Sequence, residues 1–265
     1  MKSAFAKLSR ARKHLDEFES NLQAYRDSGA IRFDVRSRKD PLDSLQWIIE
    51  TIATVDPEPP VEEWGLMIGD ILTNLRGALD HALFGHIISR FPELTDSQRH
   101  SIQFPVVDDP NKWQAKVNVY ADPTNPWVAQ PVWDEIAANQ PMHTANPKQH
   151  QLHVLHKLVN LDKHRAIHVV THRGVTSLDD TYRQLTELPS GGKPLVNGAV
   201  LTQDRRLRPL PVQGPYWEKG TGGTAYLECL DIPGYAHLQL GALDTMQEMV
   251  DVTGRFLNTL KAAGC

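Results

Sequence analysis

Cysteine is nearly missing from this chain: it has two, Cys229 and the terminal Cys265, far apart in sequence. That excludes a disulfide framework and a CxxC metal knuckle, and it makes a reducing, cytoplasmic setting the simplest expectation. Long hydrophobic runs are missing as well. No stretch reaches the roughly eighteen uninterrupted apolar residues of a membrane span, and the charged N-terminus has no apolar segment with a cleavage site. No membrane partner is expected. Nor does one sign of charge dominate. With 28 Lys and Arg against 32 Asp and Glu the formal net charge is −4, so any contact with RNA or DNA must be local rather than a coated surface. The glycine pairs Gly191-Gly192 and Gly222-Gly223 are not followed by the Lys-Ser or Lys-Thr of a phosphate-binding loop, and no nucleophile elbow is present. Internal repeats and low-complexity tracts are also absent.

What is there reads as an α+β protein of ordinary globular composition, long enough to bury a core without staples. Phe5, Leu8, Leu15, Phe18, Leu22 and Tyr25 follow three-four spacing and predict an opening helix that Gly29 ends. Alternation in Ile31, Phe33 and Val35, a break at Lys39-Asp40-Pro41 and a β-branched run from Trp47 to Val55 predict a hairpin. A long helix follows the proline-rich turn at residues 56–60 and ends before Pro92. Residues 92–148 read as a loop with short helices such as Pro131 to Asn139. A second polar-striped helix starts near Pro147 and runs to about Lys163. Alternation then returns near residues 166–172, with further strands expected at 195–202, 224–231 and 235–240. Leu243, Met246, Val250, Thr253, Leu257 and Leu260 predict a closing helix beside the first. The expected architecture is one α+β domain over residues 1–265. A bundle of about four long helices (1–29, 61–90, 148–164, 241–262) carries the N-terminal hairpin (30–55) and a small antiparallel sheet (165–240).

Two polar stripes interrupt the long helices. At one hundred degrees per residue, Asp70, Asn74, Gly77 and His81 fall within about 60° of one another, with Thr73 and Asp80 beside them. The apolar residues Trp64, Ile68, Ile71, Leu75, Leu79 and Ala82 take the other half. Gly77 costs about 1 kcal/mol against alanine inside a helix. Because helical side chains lean toward the N-terminus, His81 points over it, where a ligand or another helix could sit. On the second helix His153, His156, Lys157, Asn160, Lys163 and His164 share the polar half, and seven of the twelve histidines lie between His143 and His172. Solvated faces and a basic helix C-terminus account for much of this without any chemistry.

Three chemical readings compete. His153-x-x-His156, completed by His81, Asp80 or His164, could make a tetrahedral site for a metal-dependent hydrolase, although no glutamate separates the histidines as in a zinc-protease helix. The two stripes could instead form a buried hydrogen-bond network between helices in a non-catalytic binding protein. Arg76-x-x-x-x-His81 offers the third. Arginine can hold a phosphate, and a histidine titrating near neutrality can take a proton from a ribose 2′-hydroxyl. Five residues apart, the two are separated by about 140° and about 7.5 Å along the helix. The arginine must therefore curl back or serve a site shared across a dimer.

The segment Asn74-Leu75-Arg76-Gly77-Ala78-Leu79-Asp80-His81, followed by Asn160-Leu161-Asp162-Lys163-His164-Arg165, resembles a group of bacterial and phage proteins, of no established activity, that pair these two motifs. The R-x4-H element in a helical bundle also resembles the HEPN superfamily. That resemblance implies a dimeric, metal-independent ribonuclease without a cofactor, with RNA as substrate and Arg76 and His81 as the catalytic pair. Asp70, Asn74, Asp80, His153, His156, Asn160, Lys163 and His164 would then bind or orient around them.

Overall fold

A computed structural model describes residues 1–162, 169–176, 193–206, 224–230 and 241–265. In chain order the described elements are α1 (Lys2–Asp27), β1 (Ile31–Lys39), β2 (Trp47–Val55), α2 (Val61–Arg90), α3 (Asp96–Ser101), α4 (Trp113–Tyr120), α5 (Gln130–Ala138), α6 (Gln151–Asp162), β3 (Val169–Thr176), β4 (Lys193–Pro194), β5 (Val200–Arg206), β6 (Thr224–Leu230) and α7 (Ala242–Ala262). The protein is α+β. Two compact units divide the chain. The first comprises Met1–Glu17, Gly65–Ile167 and Met246–Cys265, the second Phe18–Trp64 and His168–Thr245.

In the first unit the helices form where apolar residues recur at three-four spacing. Ala4, Leu8, Ala11 and Leu15 of α1 are buried, as are Met246, Met249, Val250, Leu257 and Leu260 of α7. The two helices approach closely at Gly254, where an added Cβ would lie 3.1 Å from Arg12 Nη2 and 3.4 Å from Leu8 Cδ2. The closing helix thus packs beside the first, as its pattern requires. Most of α2 is apolar beyond a single stripe, and Ile68, Ile71, Leu72, Leu75, Ala78, Leu79, Ala82 and Ile87 are fully buried. Such a helix belongs in the middle of a core. The loop expected between the long helices contains α3, closed by a Thr95–Gln98 capping box, together with α4 and α5. Trp113 and Trp133 stack with centroids 4.9 Å apart and join α4 to α5. The second polar-striped helix begins at Gln151 after a single 3-10 turn at Pro147–Gln149.

In the second unit β1 and β2 form the expected hairpin, antiparallel from Ile31↔Val55 to Lys39↔Trp47, and β5 pairs with the other edge of β2. Ala53, Val55 and Leu195 make its small core with Ile31, Phe33, Ala199 and Leu201. A second three-stranded sheet has the order β4-β3-β6. The strand expected at 195–202 does not run continuously. Gly198, at φ 80°, turns the chain between β4 and β5, its N–H donates to the Ala53 carbonyl at 2.8 Å, and Asn197 Oδ1 accepts from Val55 N–H at 3.3 Å. This turn is pinned on β2 and interrupts the alternation. The strand expected at 235–240 and the alternation at 166–168 lie outside the described residues.

Candidate functional site

The site is built on the middle of α2, within the first unit. Asp80 follows Arg76 by one turn, so their side chains share a face, and the guanidinium meets the carboxylate through Nε to Oδ2 at 3.1 Å and Nη2 to Oδ1 at 3.1 Å. Both then reach the same residue. Arg76 Nη2 donates to the Phe104 carbonyl at 2.7 Å, and Asp80 Oδ1 accepts from Phe104 N–H at 2.7 Å. The pair therefore holds Phe104 by both its backbone groups, with the Phe104 ring edge-on to Phe256 of α7. Neighbouring residues are held in the same way. The Tyr120 hydroxyl donates to the Gln103 carbonyl and accepts from Gln103 N–H, and burial pushes its pKa up, which keeps it a donor. Fully buried Gln140 accepts from Val107 N–H at 2.9 Å and donates to the carbonyls of Pro105 and Ile136. Residues 103–107 form an extended stretch whose backbone is largely satisfied by side chains.

His81 belongs to a different network. It is exposed on the α1 side of α2, and its Nδ1 is hydrogen-bonded to Ser3 Oγ of α1. One turn earlier, the space left by Gly77 is covered by the stem of Lys7, whose Cδ and Cε lie 3.7 Å from where a glycine Cβ would be. The notch over Gly77 therefore receives a neighbouring helix, α1, through the Lys7 stem. Ser3, Lys7, Arg10 and His14 continue as one three-four row along α1, and Arg10 Nε donates to His14 Nε2 at 3.0 Å. Asn74 turns back onto its own helix, donating to the Asp70 carbonyl at 2.8 Å, while Asp70 itself is exposed. Arg76 and His81 thus sit on one helix without sharing a hydrogen-bonded network.

Helix α6 reaches α2 through its last residue. Asp162, the last residue of α6, lies against Gly69 of α2, where an added Cβ would be 2.8 Å from its Oδ1. Burial, and secondarily the charge of Asp70, raise the Asp162 pKa above the usual carboxylate range. The other α6 residues have separate contacts. His153 Nδ1 lies 3.4 Å from Asp108 Oδ2, yet burial outweighs that carboxylate and lowers the imidazole pKa. Asn160 Nδ2 and His156 Nε2 are 3.1 Å apart. Lys163 and His164 lie outside the described residues. Among the described residues no three His, Cys, Asp or Glu side chains gather as a metal-binding group, so His81 and Asp80 do not complete a site with His153 and His156.

Ser3, Lys7, Gly69 and Phe104 escaped the sequence reading. Ser3 and Lys7 did carry a signal, since they lie four residues apart on the helix that borders the Gly77 notch. Phe104 carried none, because a side chain gripping a distant backbone leaves no periodicity. His86 was also missed. It is buried, its Nε2 accepts from Ala129 N–H at 3.1 Å, and desolvation lowers its pKa. Comparison with known proteins adds no relative to this geometry: no protein-family model, no curated protein and no solved structure matches the chain.

Proposed function

We propose that the chain is a HEPN-like RNA-processing protein whose metal-independent endoribonuclease chemistry centres on His81. The observation that carries this reading is the Ser3–His81 pair, in which an exposed imidazole of α2 is held by a hydroxyl of α1. A hydroxyl both donates and accepts, so Ser3 suits either imidazole tautomer. Nε2 can then take or release a proton without the ring losing its anchor. In the proposed reaction Nε2 removes the ribose 2′-hydroxyl proton and the 2′-oxygen attacks the adjacent phosphorus. The 5′-oxygen leaves with the proton returned by the imidazolium, and a 2′,3′-cyclic phosphate remains. Lys7, whose stem covers Gly77 one turn before His81, would supply the cation, and the Lys7–Arg10 row suits further backbone phosphates. Arg76, engaged with Asp80 and the Phe104 carbonyl, fixes the 103–107 stretch on α2. The working form would be a homodimer, as in the superfamily it resembles.

A second reading, a non-catalytic interaction protein, is favoured by one specific observation: the Arg76 guanidinium is occupied on two sides by Asp80 and the Phe104 carbonyl. Incubating the metal-stripped protein with a pool of labelled RNAs separates the two. Cleavage leaving cyclic phosphate ends, lost in His81→Ala and weakened at least tenfold in Lys7→Ala, is the outcome the ribonuclease reading requires. Intact RNA in every condition, with both variants folded, would leave the interaction reading.

A further inference from the structure

The hairpin loop between β1 and β2 presents the most exposed large apolar side chains described: Leu42 is 88% and Leu45 74% exposed. Neither is loose chain. Asp40 Oδ1 accepts from Leu42 N–H and Asp43 Oδ1 accepts from Leu45 N–H, both at 2.9 Å, forming two successive Asx turns. The loop is closed by backbone bonds Asp40 N–H to Gln46 O and Gln46 N–H to Asp43 O, each at 3.0 Å. Asp40 is itself buried and anchored by Arg205 at 2.8 Å. A loop fastened this thoroughly, and holding two leucines in water, has its presented conformation already organised for a partner.

The surroundings identify the partner's chemistry. Lys39 stands over the Trp47 ring at 6.0 Å, directly behind the loop, and on the opposite sheet face Arg38 and Arg205 flank Ile48 in register, with Arg36 two residues further back. Two nearby carboxylates are ion-paired, Asp40 with Arg205 and Glu50 with Arg38, while Asp43 accepts from the Leu45 amide and Asp34 from the Thr54 hydroxyl. Among the described residues no carboxylate pairs with Arg36 or Lys39. An exposed apolar tip, a half-buried tryptophan behind it and a collar whose cations outside those ion pairs are Lys39 on one face and Arg36 on the other match an anionic lipid surface. Leucine side chains would enter between the headgroups while the collar meets their phosphates.

We infer that the β1–β2 loop is a peripheral docking element for anionic membranes, independent of the chemistry at His81. Co-sedimentation of the full chain with vesicles of equal phosphatidylglycerol and phosphatidylcholine tests it, with phosphatidylcholine vesicles alone as the neutral comparison. Binding to the anionic vesicles is expected at least tenfold above the neutral ones, reduced at least tenfold in Leu42→Ser/Leu45→Ser and in Arg36→Glu/Lys39→Glu, and lost in high salt. The exposure of these side chains predicts melting temperatures equal to the wild type. Absent binding, or binding indifferent to the leucines, would overturn the inference. A concentration-dependent dimer abolished by the leucine substitutions, without vesicle binding, would also overturn it and make the tip a contact between two copies.

Discussion

Gly69 and Gly77 lie on the same helix, and their missing side chains serve different neighbours. At Gly77 an added Cβ would meet only the flexible Lys7 stem, at 3.7 Å or more. Gly77→Ala is therefore expected to stabilise the protein by about 0.5–1 kcal/mol through helix propensity alone. At Gly69 the Cβ would stand 2.8 Å from the Asp162 carboxylate. Gly69→Ala gains the same helix propensity but must displace that carboxylate, so it should stabilise less than Gly77→Ala, and Asp162→Ala in the same chain should restore the difference, a coupling read from urea midpoints in a double-mutant cycle. Arg76 is a third case. Its side chain is 13% exposed, and its removal strands both the Asp80 carboxylate and the Phe104 carbonyl, so Arg76→Ala is expected to cost about 2–3 kcal/mol. His81→Ala, on an exposed site, should melt like the wild type while abolishing any RNA cleavage. If Arg76→Ala were thermally neutral, the clamp would be an idle contact.

At the scale of elements, the sequence showed helices and strands wherever burial repeats with a period. The stripes of α1, α2, α6 and α7 and the β1–β2 alternation all follow from apolar spacing. What it concealed was long-range. The gap over Gly77 was legible, but its occupant on α1 was not, and the alternation through Leu195, Asn197, Ala199 and Leu201 ran straight across a turn that only the Gly198 backbone imposes. Among the candidate residues, His81 and Arg76 were picked out by motif, yet their partners depend on contacts made by distant parts of the chain. The pH response also belongs to these contacts. Burial lowers the pKa of His86, with Arg90 adding to the effect, and His150 and His153 shift the same way. The unfolded chain then takes up protons first. Stability is full above about pH 6.5, the ordinary imidazole value, and is lost as pH falls from there toward the lower folded-state value. His86→Gln, which keeps an acceptor for Ala129 N–H, should flatten part of that decline in denaturant titrations at pH 7.5, 6.0 and 5.0. Asp162 has the opposite sign. Its raised pKa, at the carbonyl-rich end of α6, penalises neutral pH, so Asp162→Asn should gain most at pH 7 and lose that gain as pH falls toward about 4.

For the whole molecule, the balance of charge limits how nucleic acid could be held. A net charge of −4 with a short cationic row on α1 predicts a shallow salt dependence for RNA binding, a log–log slope of roughly −1 to −3, instead of the steep slope of a basic coat. A slope near −6 in a filter-binding titration would point to a surface other than the Lys7–Arg10 row. The cysteines bear on the whole chain too. Neither is in a disulfide; Cys229 is buried, and burial pushes the Cys265 thiol up in pKa. Reducing agents should leave the melting temperature unchanged. No helix among the described residues is long and apolar enough to cross a membrane, so the lipid contact inferred for the hairpin is one of surface docking.

The stretch from Gln103 to Val107 belongs to no helix or strand, and a map of secondary structure would mark it as loop. The amide protons of Gln103, Phe104 and Val107 should nevertheless exchange with deuterium on the timescale of the helices around them, because Tyr120, Asp80 and Gln140 take the places that a neighbouring strand would fill. Each of these three protons then reports on one side chain. Replacing Asp80 by alanine would release the Phe104 proton and leave that of Val107 slow, so the residues gripping this stretch could be followed one at a time as the protein opens.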